Sequence, residues 1–345
     1  MLNNKTVLIT GGTGSFGKKM VQVILNEYKP EKLIIFSRDE LKQFEMSQRW
    51  SIKKHPCIRY FLGDVRDRDR LNMAFHGVDY VIHAAALKQV PAAEYNPAEF
   101  IKTNIIGGMN VIDAALLNRV KKVIALSTDK ACNPINLYGA TKLCADKLFV
   151  AANVYAGHDK TIFSVVRYGN VVGSRGSVIP FFKERAKTGV LPITDTRMTR
   201  FWITLDQSVH FVVKVLELAS GAEIFVPKIP SMSIVDMAKA IAPDCSHQIT
   251  GIRPGEKMHE SLIGEDEGRN TIEYNECYVI RQKLSGGKSL SDIDNRGRLC
   301  PEGFQYTSDK NPQKISIEGL RSVIEQISDD YSIEKSRWSM EDIPQ

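Results

Sequence analysis

Val123-Ile124-Ala125-Leu126-Ser127-Thr128-Asp129-Lys130-Ala131-Cys132-Asn133-Pro134-Ile135-Asn136-Leu137-Tyr138-Gly139-Ala140-Thr141-Lys142 runs from an apolar stretch into a polar cluster and then into a helical pattern. The run Val123 to Leu126 reads as a buried parallel strand that delivers Ser127, Thr128, Asp129 and Lys130 to its carboxyl end. That edge is where open α/β sheets bind ligands. Asn133-Pro134 breaks the chain, and Tyr138 and Lys142 follow at i,i+4 spacing, so they share one helix face. Lys142 beside Tyr138 favours the phenolate, which makes Tyr138 a candidate base for an alcohol proton, with Thr128 bonding the same hydroxyl. Tyr-x-x-x-Lys alone could be an ordinary surface pair; its placement after this strand makes it a site.

Upstream, Lys5 to Thr10 predicts a strand, and Gly11-Gly12-Thr13-Gly14-Ser15-Phe16-Gly17 precedes a helix to about Tyr28. Glycines there allow the tight turn and the close approach of backbone to a pyrophosphate at a helix N-terminus. Thr13, Gly14, Ser15 and Phe16 are the candidate dinucleotide-binding residues. A second strand, Lys32 to Phe36, ends in Ser37-Arg38-Asp39-Glu40-Leu41-Lys42. Ser37 and Arg38 suit a ribose 2′-phosphate and hence NADP, whereas a shift of one residue would offer Asp39 or Glu40 to the diol of NAD. The strand Ile58 to Leu62 carries Asp64 and Val65 toward the adenine, and Tyr80 to Ala86 ends in the small Ala84 and Ala86, over which a cofactor can lie. Lys88 follows on the same edge as a candidate for phosphate or sugar. His83 reads as a packed core residue. Asn104, in the helix from about Pro97 to Leu117, reads either as an interruption of regular hydrogen bonding near the site or as helix surface.

Downstream, Thr161 to Arg167 is a further strand, after which the alternation fails and loops dominate to Arg200. The fold class expected is α/β, a doubly wound parallel sheet with a smaller substrate-binding lid. We expect residues 1–168 in the nucleotide-binding domain, with a helix near 205–218 returning to it, 169–204 and 220–282 in the lid, and 283–345 as a C-terminal loop and helix. A helix near Ser233 to Ala242, a strand Ile249 to Ile252 and a late helix Ile317 to Ile327 complete the pattern. Leu284 to Gln305, rich in Gly, Ser and Asp, reads as a flexible loop. Arg200 and Arg253 are the candidates for a diphosphate, because guanidinium forks match phosphate oxygens.

Bulk properties narrow the function classes. The chain has 345 residues, 43% hydrophobic and 25% charged, with a formal net charge of +6 that is not gathered into blocks. Nucleic acid is therefore not an expected partner. No apolar run approaches the ~18 residues of a membrane span and no signal peptide is evident, so a cytoplasmic protein with no membrane partner is expected. The six cysteines lack metal-ligand spacing, so we expect reduced thiols and no metal.

Gly11 to Gly17, Asp64-Val65, Ala84-Ala85-Ala86 and Tyr138-x-x-x-Lys142 together resemble the extended short-chain dehydrogenase/reductase family. Ser37 to Gln43, Ala86 to Pro91, Ser127 to Ala131, Gly173 to Ser177 and Arg253 to Lys257 are similar, more narrowly, to its inverting UDP-N-acetylglucosamine 4,6-dehydratases. The resemblance implies NADP bound also by Leu41, Lys42, Tyr138 and Lys142. It implies UDP-N-acetylglucosamine held by Lys88, Asn170, Val171, Val178, Thr194, Arg200, Arg253 and Glu256. Thr128, Asp129, Lys130, Tyr138 and Lys142 would be catalytic, with Lys130 taking the C5 proton and Asp129 protonating the leaving C6 hydroxyl. It also implies a homo-oligomer, a hexamer being one form, and a place in pseudaminic acid biosynthesis. Retaining relatives tend to carry Met where this chain has Tyr138. A retaining dehydratase, a UDP-hexosamine 4-epimerase and a non-catalytic NADP-sensing protein remain the alternatives.

Overall fold

The computed structural model describes residues 1–156, 161–173, 178–281 and 297–336, the side chains of 327–336 excepted. Ser174 to Ser177 of the motif quoted above and most of the loop expected at 284–305 lie outside the described residues.

Seven parallel strands form the centre of a ten-stranded sheet: β1 (Thr6–Thr10), β2 (Lys32–Ser37), β3 (Ile58–Leu62), β4 (Tyr80–His83), β5 (Lys122–Thr128), β6 (Ile162–Tyr168) and the strand Glu223–Pro227. Their spatial order is Glu223–Pro227, β6, β5, β4, β1, β2, β3. The order reverses at β1, so right-handed crossovers put the helices that follow β1 and β2 on one face and those that follow β4 and β5 on the other. The expected doubly wound parallel sheet is present. Its strands are apolar because both faces are covered; every residue of β1 is buried.

Beyond Glu223–Pro227 the sheet continues antiparallel through Cys277–Arg281, Thr271–Glu273 and Arg298–Leu299. The chain divides into two compact units, the first made of Met1–Gly169, Asp206–Lys228 and Ser261–Thr307. Residues 220–228 and 261–281, given to the lid from sequence, thus sit in the first unit. The reason is hydrogen bonding: Glu223–Pro227 pairs with β6, and Cys277–Arg281 pairs with Glu223–Pro227.

The second unit comprises Asn170–Leu205, Ile229–Glu260 and the chain from Ser308 on. Its three-stranded sheet joins Asn170–Val172, Thr199–Thr204 and Ser231–Ser233. Phe182, Leu191, Trp202, Met237 and Leu320 form its core, fed by the helices Val178–Arg185, Ile234–Ile241 and Ile317–Ser336. The short strand expected at Ile249 to Ile252 is observed at Ser246–Ile249, parallel to Val190–Ile193.

The helical stretch Pro97–Leu117 is not uniform. It opens as Pro97–Phe100, widens to a π-helical turn over Ile101–Ile106, and resumes as α-helix over Gly107–Leu117. Contrary to the expectation from sequence, this stretch is long and apolar enough to cross a membrane. Its Phe100, Val111, Ala114 and Ala115 are buried within the protein, as in a core helix. All six cysteines are free.

Candidate active site

β5 lies between β4 and β6, with Ala125 level with His83, and Thr128 with Tyr168. Thr128 ends the strand and caps a single 3₁₀ turn, Asp129–Ala131, accepting from Lys130 N at 3.4 Å. Asp129 has a fully buried side chain, and its Oδ1 accepts from Thr128 Oγ1 at 2.9 Å and from Lys130 Nζ at 3.0 Å. Oδ2, also buried, has no hydrogen-bond partner. A buried carboxylate oxygen without a donor is costly and is open to a donor from a bound molecule.

Asn133 turns the chain with φ 46°, and Asn136 caps the helix Leu137–Tyr155 by accepting from Gly139 N at 2.7 Å. Gly139 is needed for contact, since a Cβ there would lie 2.2 Å from the Lys130 carbonyl oxygen. The helix that carries Tyr138 is thereby set directly against the turn that carries Lys130.

Tyr138 and Lys142 are both buried on this helix. Burial pushes the Tyr138 phenol up to about 12, opposed first by the charge of Lys130 and then by a hydrogen bond with Thr128. Lys142, expected from sequence to act on the phenol, donates instead to Leu126 O at 2.7 Å, and burial lowers its pKa against the pull of Asp146. Lys88, at the protein surface but enclosed enough to lose hydration, also has a lowered pKa, with the charge of Lys130 as the second cause. Lys130, Lys88, Thr128, Asp129 and Tyr138 therefore act on one another electrostatically. His83 is a core residue: Thr10 Oγ1 meets its Nδ1 at 2.8 Å, and burial drives its pKa down to about 3.

The glycine turn follows β1. Gly11 adopts φ 66°, and a Cβ there would lie 2.8 Å from the Ala85 backbone, so glycine is required on both counts. Gly14 caps the helix Ser15–Glu27 without a side-chain hydrogen bond, and the first turn carries no acidic residue. Its amides are left to face an anion. Thr13 Oγ1 and Ser37 Oγ meet at 2.8 Å across the turn. Asp39 caps the helix Glu40–Arg49, accepting from Lys42 N at 3.0 Å, and its other oxygen is paired with Lys42 Nζ. The Lys42 hydrogen bonds hold its carboxyl below the usual range. Arg38, Glu40 and Leu41 are exposed. Asp64, expected at the adenine, is held by Arg66 through Nε at 3.1 Å and Nη2 at 2.9 Å, and lies 3.7 Å from Arg38. Val65 is buried beneath Gly107, Ala84 is half-buried and Ala86 exposed.

In the second unit Arg200 is buried, and its guanidinium donates to Thr199 O, Met258 O and Lys257 O and lies 3.3 Å from Glu256 Oε1. It is already engaged in holding the 256–260 segment, whereas Arg253 is exposed beside a turn closed by Glu256 N on Arg253 O. Asn170 and Val171 lie half-buried on the strand beside Trp202 and Ile203. Val178 opens the helix over the unit's core, and Thr194 Oγ1 donates to Met198 Sδ at 3.1 Å.

Asn104, in the π-helical turn, clasps Leu87 by both N and O at 2.9 Å and reaches Thr141 Oγ1 at 3.0 Å, which resolves its reading in favour of the interrupted helix. One feature escaped the sequence reading. Arg167 was read only as a strand end; it is fully buried between Asp146 and Glu267. Asp146 could have been found, because it continues the Tyr138, Lys142 spacing by one more turn.

A doubly wound sheet with a glycine turn after its first strand and Tyr-x-x-x-Lys beside its fifth defines an extended short-chain dehydrogenase/reductase. Within that class the chain belongs to the polysaccharide biosynthesis protein family, whose model matches residues 7–282. It is 58% identical to a UDP-N-acetylglucosamine 4,6-dehydratase (inverting) of Campylobacter jejuni, over 94% of this chain and 98% of that protein. It is 44% identical to a UDP-glucose 4-epimerase of Rickettsia conorii, over 94% of this chain and 96% of that one. Among solved structures, Pen from Bacillus thuringiensis superposes with a TM-score of 0.86 at 38% identity, covering 95% of this chain and 99% of that chain.

Proposed function

We propose that this protein is a lyase that dehydrates UDP-N-acetylglucosamine across C5 and C6 and inverts C5, giving the 4-keto-6-deoxy-L-arabino sugar nucleotide, with NADP as its cofactor. The observation that carries the reading is the buried Asp129 carboxylate, one oxygen held by Thr128 and Lys130 and the other without a partner. An epimerase, which only removes and returns hydride at C4, has no use for an acid and an amine placed in this way. The Campylobacter relative bears the name of the same reaction.

The residues fit a dinucleotide. The Gly11 turn leaves no room for a side chain, and the helix N-terminus after it is free of acid. Asp39 is occupied by its cap and by Lys42, which supports NADP over NAD, with Ser37, Arg38 and Lys42 toward the 2′-phosphate. When bound, the nicotinamide supplies the chemistry of taking hydride from C4 and returning it to C6.

Tyr138 accepts the C4 hydroxyl proton, with Thr128 bonding the same oxygen. The C4 ketone acidifies C5, whose proton passes to neutral Lys130. Asp129, protonated, gives its proton to the departing C6 hydroxyl, and water leaves. A proton returns to C5 from the opposite face. Asp129 and Lys130, 3.0 Å apart, are thus placed to serve as acid and base on neighbouring carbons of one sugar. Lys88, Arg253 and Glu256, with Asn170, Val171, Val178, Thr194 and Arg200, are proposed for the UDP-sugar. A cytoplasmic homo-oligomer acting in pseudaminic acid biosynthesis is proposed on resemblance alone.

The test is to incubate the protein with UDP-N-acetylglucosamine and NADP in deuterated water and to read the product by proton NMR. Deuterium at C5 with L-arabino couplings and a C6 methyl is expected. A product with C5 configuration unchanged, or a C4 epimer, overturns the reading in favour of a retaining dehydratase or an epimerase.

A further inference from the structure

A second set of charges lies buried behind the site, and the mechanism above uses none of it. Arg167, at the end of β6, has a fully buried side chain. Its Nη2 donates to Asp146 Oδ2 at 3.1 Å, and its fork donates to both Glu267 oxygens at 2.7 and 3.0 Å. Nη1 also reaches Leu262 O at 3.0 Å. Asp146 is 2% exposed. With Lys142 these make two cations and two carboxylates, of which Arg167, Asp146 and Lys142 are buried and Glu267 is partly exposed. Removing one partner of such a set leaves an uncompensated charge.

The cluster reaches the acid–base groups at both of its ends. Asp146 lies one helical turn beyond Lys142 on the same face of Leu137–Tyr155, and Lys142 is anchored on Leu126 O. At the other end Glu267 Oε2 accepts from Cys132 Sγ at 3.7 Å and from Gly264 N at 3.2 Å. Cys132 N in turn donates to Asp129 O at 3.3 Å, closing the turn that carries Asp129 and Lys130.

We propose that Asp146, held in place by the Arg167–Glu267 clamp, is the positioning residue for Lys142: from one helical turn away its carboxylate supplies the negative charge that the buried Lys142 ammonium, anchored on Leu126 O, faces while Tyr138 changes its proton.

Each group in the cluster faces known charges. Lys142 faces Asp146 and, from β4, the neutral ring of His83. Asp146 faces Arg167, Lys142 and the Ser127 hydroxyl; burial raises its pKa against all three. Arg167 faces Glu267, Asp146 and Cys132, and Glu267 faces Arg167 and Lys147. Tyr138 faces Lys130 and Asp129, and Asp146 raises its pKa. Withdrawing the negative charge of Asp146 therefore makes Lys142 and Tyr138 both release protons at lower pH.

The proposal rests on the dehydratase reading for the role of Lys142, so its test has a readout that needs no turnover. Asp146→Asn keeps the shape and removes the charge. Isotope-labelled lysine NMR, with the Lys142 signal assigned by Lys142→Arg, should show Lys142 titrating at lower pH in Asp146→Asn than in the wild type. Both limbs of the kcat/KM profile should move to lower pH, with a loss on the order of tenfold on the alkaline side. A merely structural tie lowers the height of the profile or the melting temperature and leaves the limbs in place. Glu267→Gln retains the Asp146–Arg167 contact and should move the same signal in the same direction by less. It decides the matter if Asp146→Asn does not fold. A Lys142 titration unmoved in the folded variants overturns the proposal; a moved titration in a protein that turns over no UDP-N-acetylglucosamine overturns the dehydratase reading instead.

Discussion

Two strand tips in this protein carry the same pair of residues and treat it in opposite ways. After β2, Asp39 pairs with Lys42, and both side chains are substantially exposed at 35% and 43%. After β5, Asp129 pairs with Lys130, and the carboxylate is 1% exposed. At the first tip water screens the charges, and the aspartate is spent on capping a helix. At the second the aspartate is enclosed, one oxygen held by Thr128 and Lys130 and the other without a partner, so the pair proposed as acid and base is kept from screening water. Burial, more than residue type, separates a surface contact from a chemical device.

Breaking the buried pair should have the largest effect. Lys130→Ala is expected to lower dehydration on the order of a thousandfold while leaving NADP binding intact. It removes the proposed C5 base and also the charge that most opposes the rise of the Tyr138 phenol. Product formation at the wild-type rate would remove Lys130 from the mechanism.

His83, on the strand between β1 and β5, shows burial acting first, with the charge of Lys142 as the second cause. Its folded pKa of about 3 lies below the ordinary value of 6.5, so below pH 6.5 the unfolded chain takes up a proton that the folded chain refuses. Stability is full above that pH and is lost as pH falls toward 3. Between pH 7 and pH 5 denaturant unfolding should show a loss of about 2 kcal/mol from this residue. The loss should be absent in His83→Gln; an equal slope in both proteins would assign it elsewhere.

The exposed tip sharpens the contrast from its weak side. Arg38→Ala should raise the KM for NADP about tenfold and leave that for NAD unchanged, since only the former offers a phosphate to the guanidinium. Equal changes for both would shift the cofactor reading toward the ribose diol. Asp39→Asn, which keeps a good cap, should leave turnover within about twofold.

The parts legible in the sequence are those in which neighbouring residues do one job. β1 with its glycine turn, and β5 with Thr128-Asp129-Lys130, declare themselves because strand, turn and polar tip are contiguous. Tyr138 and Lys142 follow from helical spacing alone. Arg167 was not legible, because its partners are supplied from Asp146 and Glu267, on segments far away in the chain. The carbonyls that engage Arg200 were not legible for the same reason, since they belong to Lys257 and Met258, more than fifty residues on. The antiparallel edge after Glu223–Pro227 was assigned to the lid because a strand's partner is not written in its own residues.

The wide turn at Ile101–Ile106 has a further consequence. A π turn holds one residue more than an α turn, as an insertion into an older, regular helix would leave it. Deleting a single residue there would let the helix close evenly and would leave Gly107 to Leu117 on the faces they now present, because a wide turn absorbs its extra residue by turning less per residue. Asn104 would lose its hold on Leu87, while the stripe of Val111, Ala114 and Ala115 would stay buried. The irregularity is thus a local bulge that places one side chain and leaves the remainder of the helix in phase.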